Sequence, residues 1–144
     1  YYLAGNLHRE DGPAIEYANG DKVWYKNGYR HRDDGPAIEY IGGTKEYWIE
    51  GNLHREDGPS CEFLDGTIFY HKHGLIHREE GPAVKYSNGD SYWHKNGKYH
   101  REDGPAVELA DGTKSWYLND VYYGSNDDFT NESWIKFVKT LIFS

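Results

Sequence analysis

The feature that most constrains this chain is an internal repeat with a period of 23 residues. The string HREDGPA begins at His8 and returns, with small changes and no insertion or deletion, at four further positions. Those positions are His31, His54, His77 and His100. A repeat of this length is one supersecondary unit, and it buries its apolar face only by stacking against its neighbours. The sequence therefore predicts a repeat array.

Each copy contains two turn signals. The first is an Asn-Gly, Asp-Gly or Gly-Gly pair such as Asn19-Gly20, which favours the positive φ angles of a two-residue hairpin turn. The second is a single glycine such as Gly28, and Asp120 breaks this second series. The HREDGP loop then leads into the next copy.

Two short strands are predicted in each copy from alternation and from β-branched or aromatic residues. In the first copy, Ile15 and Tyr17 lie on one face of a segment whose other face holds Ala14 and Glu16. The second segment centres on an aromatic residue, Trp24 in the first copy. We therefore predict an all-β fold, an elongated single-sheet or solenoid-like stack of about five 23-residue β-hairpin repeats.

The repeat ends near residue 122, and a helical pattern follows. Apolar residues occur at i, i+3, i+4, i+7 and i+8, the spacing of one helix face. They are Trp134, Phe137, Val138, Leu141 and Ile142. Ser125, Asp128 or Thr130 could cap the helix. We predict a repeat array over 1–122 and a C-terminal helical cap over 123–144 that covers the last sheet edge; a helix for partner binding or self-association is the alternative.

Composition excludes several classes. The net charge of −8 argues against nucleic acid as a partner, because a phosphate backbone needs clustered Lys and Arg. An aromatic content of 17% argues against disorder. No apolar run is long enough for stable membrane insertion. A single Cys and the lack of a signal peptide favour a reducing, cytoplasmic compartment, the host cytoplasm for a viral protein.

Catalytic and cofactor motifs are missing from the sequence, which predicts a non-enzymatic protein without a cofactor. Cys61 occupies a slot that other copies fill with Ile or Val, so we expect a small buried hydrophobe rather than a nucleophile. Equivalent loop histidines should lie about 9–10 Å apart, twice the strand spacing, which is too far to share a metal ion. His71, His73 and His94 form a smaller group that could hold a metal, as a less favoured alternative.

The HRED loop is predicted to be structural, because a feature copied in every repeat serves the interface between repeats. Arginine and carboxylates in one tight loop can pair and hold backbone groups. The loop residues of the inner copies are His31, Arg32, Asp34, His54, Arg55, Asp57, His77, Arg78 and Glu80. The alternative is a polar ladder that binds a charged ligand.

Slots that differ between copies are predicted to bind a partner protein, since exposed aromatic side chains on a sheet often dominate interfaces. The predicted partner-binding residues are Tyr25, Trp48, His71, His94, Tyr117, Lys26 and Ile49. The alternative is that these side chains cover a thin sheet with two half-buried faces.

The repeats resemble a known family. The aromatic-x-x-x-Gly spacing from Trp24 to Gly28 and from Trp93 to Gly97 is similar to that of MORN-type repeats. The string W-Y-x-N-G-x-x-H-R-x-D-G-P-A more closely resembles a MORN-like variant of phage, large-virus and bacterial proteins, over residues 1 to about 122. Ordinary MORN units differ in having a shorter Gly-Lys-x-His-Gly loop.

The resemblance implies a scaffold or a protein- or lipid-contacting module without catalysis. It further implies a viral or bacterial inhibitor, antitoxin or immunity-type protein that blocks another protein. A carbohydrate- or lipid-binding repeat module and a purely structural scaffold are the alternatives. A homo-oligomer could form through the sheet edge at Tyr1 or through the C-terminal helix.

Overall fold

The computed structural model describes residues 1–143, which divide into two compact units, Tyr1–Leu75 and the residues from Ile76 onward. Both units consist mainly of very short antiparallel strands. In chain order the strands are β1 Tyr2–Leu3, β2 Asn6–Leu7, β3 Ile15–Glu16, β4 Lys22–Val23, β5 Tyr25–Lys26, β6 Tyr29–Arg30, β7 Ile38–Glu39, β8 Lys45–Glu46, β9 Trp48–Ile49, β10 Asn52–Leu53, β11 Cys61–Glu62, β12 Ile68–Phe69, β13 His71–Lys72, β14 Leu75–Ile76, β15 Val84–Lys85, β16 Ser91–Tyr92, β17 His94–Lys95, β18 Lys98–Tyr99, β19 Val107–Glu108, β20 Lys114–Leu118 and β21 Val121–Ser125.

Antiparallel hairpin pairing joins eleven of these strands, six in the first unit and five in the second. In the first unit the order of the paired strands is β12-β11-β8-β7-β4-β3, and in the second unit it is β21-β20-β19-β16-β15. Each inner copy therefore contributes two neighbouring strands. The predicted all-β class, built from hairpin repeats and followed by one helix, is confirmed.

The two-residue turn of each copy lies at the second turn signal and not at the first. At the first signal only Gly20 has a positive φ, 102°, and the Tyr17 N–H donates to the Asp21 carbonyl across a three-residue loop. The prediction of a two-residue turn at this signal is therefore wrong. The two-residue turn lies at the second signal, where Asn27 and Gly28 have φ angles of 52° and 83° between paired β5 and β6.

Each of the first four copies has four two-residue strands where two were predicted. The extra pair arises because the chain leaves the large sheet at the central aromatic residue. In the first copy, the Trp24 N–H donates to the Ala37 carbonyl at 2.7 Å, and the Trp24 carbonyl accepts from the His31 N–H at 3.1 Å. The segment before Trp24 pairs in the large sheet, and the segment after it forms a second, separate hairpin.

The predicted helix, α1, spans Asn131–Ile142. Thr130 is its N-cap: the Thr130 hydroxyl accepts from the Ser133 N–H, and the Ser133 hydroxyl accepts from the Thr130 N–H. The predicted cap at Thr130 is confirmed, whereas Ser125 precedes a short 3₁₀ helix, Asn126–Asp128. In the apolar stripe, Trp134 and Val138 are buried and Phe137 is half-buried, but Leu141 and Ile142 are exposed, so the buried face is shorter than the sequence predicted.

Candidate functional site

The loop histidine of each copy holds the second turn of the same copy. In every copy the imidazole Nδ1 accepts from the backbone N–H nineteen residues later, at 2.9–3.1 Å. The pairs are His8 with Asn27, His31 with Glu50, His54 with His73, His77 with Asn96, and His100 with Asn119. Because Nδ1 accepts, the ring proton is on Nε2, which faces the acid two residues further on, as in the 2.8 Å contact of His31 with Asp33. The imidazoles are therefore used within the chain.

Four loop arginines lie over an aromatic ring of the preceding copy. Arg32 Cζ is 4.0 Å from the Trp24 ring centroid, its Nε donates to Asp34 at 2.9 Å, and its Nη1 donates to the Pro36 carbonyl and to Glu39. The same stacking joins Arg9 to Tyr1, Arg55 to Tyr47, and Arg101 to Trp93. Such a guanidinium has few donors left for a ligand.

The remaining predicted loop residues follow the same pattern. Asp57 accepts from Arg55 Nε at 3.2 Å, and Arg78 Nη1 donates to the Pro82 carbonyl at 3.2 Å. His77 faces Glu79 at 2.7 Å, whereas Glu80 is exposed. Most of the predicted loop residues thus bind backbone or carboxylate groups of the chain itself.

The last of the central aromatic residues of the copies, Trp116, is covered by the helix in place of an arginine. Eight residues after Trp116 the chain has Gly124, where earlier copies have arginine. The Trp134 ring lies 5.4 Å from the Trp116 ring, and its indole N–H donates to the Arg101 carbonyl at 2.9 Å. Trp134 is fully buried, so α1 caps the array through this contact.

Successive HRED loops of the first unit enclose two clefts, of about 780 Å³ and 530 Å³. Tyr25 and Lys26 line the larger cleft together with charged loop residues, and Ile49 lines the smaller one. The Lys26 ammonium lies 4.0 Å from Asp33. Three of the predicted partner-binding residues thus lie in clefts walled by ion-paired side chains.

The remaining predicted partner-binding residues are not as exposed as the sequence suggested. Trp48 is half-buried and its indole N–H donates to Glu46 at 2.9 Å. Tyr117 is half-buried between Tyr99 and Tyr122, at ring distances of 5.2 and 5.4 Å. Partner binding at these positions stays a prediction.

His71 and His94 occupy the same slot in neighbouring copies but differ in their partners. His71 Nδ1 is 2.7 Å from the hydroxyl of the fully buried Ser60. His94 is buried, and its Nδ1 lacks a hydrogen-bond partner within residues 1–143; the Ser60 slot there holds Ala83. Burial is the main cause that lowers the pKa of both imidazoles.

Cys61 is buried, as predicted, and burial together with the nearby Glu46 charge raises the pKa of its thiol to about 11. A thiol with this pKa is not an activated nucleophile. The predicted alternative of a metal site at His71, His73 and His94 finds no support in geometry: residues 1–143 contain no group of three or more His, Cys, Asp or Glu placed to hold a metal ion.

A feature that the sequence reasoning missed is a row of exposed apolar side chains in the first unit. This exposed row consists of Tyr17, Tyr40, Ile41, Phe63 and Leu64, with exposed fractions between 38% and 76%. Alternation had placed Tyr17 on the face of Ile15, but β3 ends at Glu16 and Tyr17 begins the loop. The signal that could have found the row is an aromatic residue directly before each first turn, followed in two copies by Ile41 or Leu64.

The exposed row is continuous from copy to copy. The Ile41 side chain packs against Gly20 of the preceding copy, and the Leu64 side chain packs against Gly43. Between Tyr17 and Tyr40 lies a groove of about 470 Å³, which we call the Tyr17–Tyr40 groove. Its further lining residues are Ala18, Asn19, Asp21, Val23, Arg30 and Ile38.

Comparisons of the sequence with models of known protein families and with curated proteins find no match. None of the helices in the described part of the chain is long and apolar enough to cross a membrane.

Proposed function

We propose that this chain is a non-catalytic, protein-binding repeat module and that the exposed row is its binding surface. The observation that carries the proposal is the row itself: five large apolar side chains, repeated at the period of the array and open to solvent. Large exposed apolar patches on a protein surface often mark sites of protein–protein interaction. The MORN-like resemblance supports the same class of function.

Rigidity supports binding through a preformed surface. The strands next to the row are held by antiparallel pairing, and the Asp21 carboxylate accepts from the Ile41 N–H at 2.8 Å across two copies. A partner therefore meets side chains whose backbone is already ordered, which lowers the entropy cost of association.

The side chains that could carry chemistry are engaged elsewhere. The Ser60 hydroxyl donates to the Phe69 carbonyl at 3.0 Å, and Cys61 holds its proton. We therefore favour blocking of a partner's surface over catalysis, which is the action implied by the resemblance to inhibitor and antitoxin-type proteins. The proposed location is the cytoplasm, where the Cys61 thiol stays reduced.

The test is affinity capture from lysate of the source cells followed by mass spectrometry. The double variant Ile41→Ser/Leu64→Ser removes the two most exposed members of the row. The matched control is Leu75→Ser, which changes an exposed leucine of the same unit outside the row. We expect a protein that the wild type and the control retain and the double variant loses, with unchanged circular dichroism.

If the wild type, the double variant and the control captured the same proteins in equal amounts, the exposed row would be excluded as the binding surface. Capture of no protein, together with binding of the wild type on a glycan array, would favour the carbohydrate-binding alternative, because tyrosine rings also stack on sugars. If neither affinity capture nor the glycan array detected binding, the purely structural scaffold would be the favoured alternative.

A further inference from the structure

We propose that the exposed row binds a proline-rich segment in the polyproline II conformation, seated in the Tyr17–Tyr40 groove and continuing towards Phe63. The inference rests on the proposed function and names the chemical class of the partner. It depends on three features of the first unit: the spacing of the aromatic side chains, the donors of the groove, and the charge of Arg30.

Spacing is the first argument. Each copy adds two strands to the sheet, so Tyr17, Tyr40 and Phe63 repeat at about 9.6 Å, twice the strand separation. A polyproline II helix advances about 3.1 Å per residue with three residues per turn, or about 9.3 Å per turn. Prolines at i, i+3 and i+6 therefore match the spacing of the three rings, with a mismatch of about 0.3 Å per copy.

Other conformations match this spacing less well. An α-helix places residues i and i+7 about 10.5 Å apart, which misses by about 1 Å at each copy. A β-strand places same-face residues about 6.6–6.8 Å apart and loses register at the first gap. The period of the exposed row thus selects a polyproline II ligand over the two commoner alternatives.

Hydrogen bonding is the second argument. A polyproline II backbone offers carbonyl acceptors, makes no internal hydrogen bonds and has no N–H at proline. The one carboxylate that lines the groove, Asp21, already accepts from the Ile41 N–H and from the Asn19 side-chain amide. Tyr17 and Tyr40 line the groove, and neither hydroxyl donates to another residue of the described chain, so both are available as donors. Burial and the Glu46 charge raise the pKa of Tyr40, so its hydroxyl keeps the proton it would donate.

Charge is the third argument. The Arg30 side chain lines the groove and lies over the Trp48 ring at 5.0 Å. Within residues 1–143, no carboxylate lies at ion-pair distance from Arg30, although most loop arginines have such a partner. An acidic residue beside the first proline would complement this guanidinium. The expected ligand motif is therefore Glu-Pro-x-x-Pro-x-x-Pro.

The experiment measures fluorescence anisotropy of labelled synthetic peptides with the full chain. The probe is Glu-Pro-Ala-Ala-Pro-Ala-Ala-Pro, and the composition-matched control is Glu-Pro-Ala-Pro-Ala-Pro-Ala-Ala, which moves the prolines to a two-residue spacing. We expect the probe to bind at least about ten-fold more tightly than the control. Replacing Glu by Gln in the probe should weaken binding to the wild type and leave binding to Arg30→Gln unchanged.

Protein variants test the location. Tyr40→Ala should weaken probe binding by at least about ten-fold, as expected for a central aromatic anchor. Tyr40→Phe keeps the ring, removes the hydroxyl and should weaken binding less, which keeps the test valid if Tyr40→Ala is unstable. The matched control is Tyr122→Ala, an exposed tyrosine of β21 outside the row, which should bind like the wild type.

Equal binding of both peptides, no binding of either, or full binding by both Tyr40 variants would overturn the inference. The proposed function would survive that result if Ile41→Ser/Leu64→Ser still lost a captured protein that Leu75→Ser retained. Failure of both experiments would remove the exposed row as a binding surface altogether.

Discussion

Replacing Ser60 by alanine removes the hydrogen-bond partner of a half-buried imidazole without changing any large side chain. The Ser60 hydroxyl donates to the Phe69 carbonyl at 3.0 Å, so it accepts from His71 Nδ1–H at 2.7 Å. Ser60 is fully buried, so water cannot take its place without rearrangement. Leaving such a donor unsatisfied costs about 1–3 kcal/mol. We expect Ser60→Ala to lower the free energy of unfolding by an amount in this range, measured by urea denaturation.

The chain supplies the control for this substitution. In the first copy the same two slots hold Ala14 and Tyr25, so alanine is compatible with a tyrosine at the second slot. In a His71→Tyr background, Ser60→Ala should therefore cost less than about 0.5 kcal/mol. The double-mutant cycle isolates the coupling between the two side chains, which we expect to be about 1 kcal/mol or more. Additive effects would refute the reasoning.

The reciprocal substitution tests the same reasoning in the opposite direction. His94 lacks a partner for Nδ1, and Ala83 occupies the slot equivalent to Ser60. Ala83→Ser should place a hydroxyl where Ser60 has one and stabilise the protein by about 1 kcal/mol. A destabilised Ala83→Ser variant would show that the buried hydroxyl costs more than its hydrogen bonds return.

Three further predictions concern pH, turns and the helix. Because burial lowers the pKa of His71 and His94, the unfolded chain binds more protons than the folded chain below about pH 6.5. The free energy of unfolding should therefore fall as the pH drops below this value. Urea denaturation at several pH values should show a weaker pH dependence of the free energy of unfolding for His94→Tyr than for the wild type. Gly66→Ala should cost about 1–2 kcal/mol by thermal denaturation because φ is 92°, whereas Gly42→Ala, in equally open space without a positive φ, should not destabilise. Trp134→Ala should lower the free energy of unfolding by about 3–5 kcal/mol, measured by urea denaturation, because the Trp134 ring is fully buried. A loss no larger than that of an alanine substitution at an exposed position of α1 would contradict the capping role of Trp134.

The repeat period carried most of the fold prediction, because equivalent slots in a stack meet equivalent surroundings. It could not assign the turns. Asn19-Gly20 and Asn27-Gly28 have the same residue types, and local propensity favours a two-residue turn at both. The choice follows from a contact nineteen residues apart, in which His8 Nδ1 holds the Asn27 N–H. A single-sequence pattern contains no information on that contact.

The candidate site was harder to predict than the fold, and the reason is again local. Alternation is a reliable guide only while a strand continues, and β3 has two residues. Tyr17 therefore leaves the face that Ile15 begins and becomes exposed. The side chain directly after the central aromatic residue of each copy was predicted to be exposed, because this slot varies between copies. The second hairpin instead packs these side chains against their neighbours. Variation between copies did not imply exposure.

Contacts between copies explain why this array needs a different end. Four loop arginines each cover an aromatic ring of the copy before, as Arg32 covers Trp24. The final ring, Trp116, has no such arginine within the described chain, and Trp134 covers it instead. Side chains in these slots are committed to stability, so substitutions there should unfold the chain before they alter recognition. Under the proposed function, recognition is therefore expected at side chains outside the stacking contacts, such as the exposed row, in which Ile41 packs on Gly20 of the preceding copy.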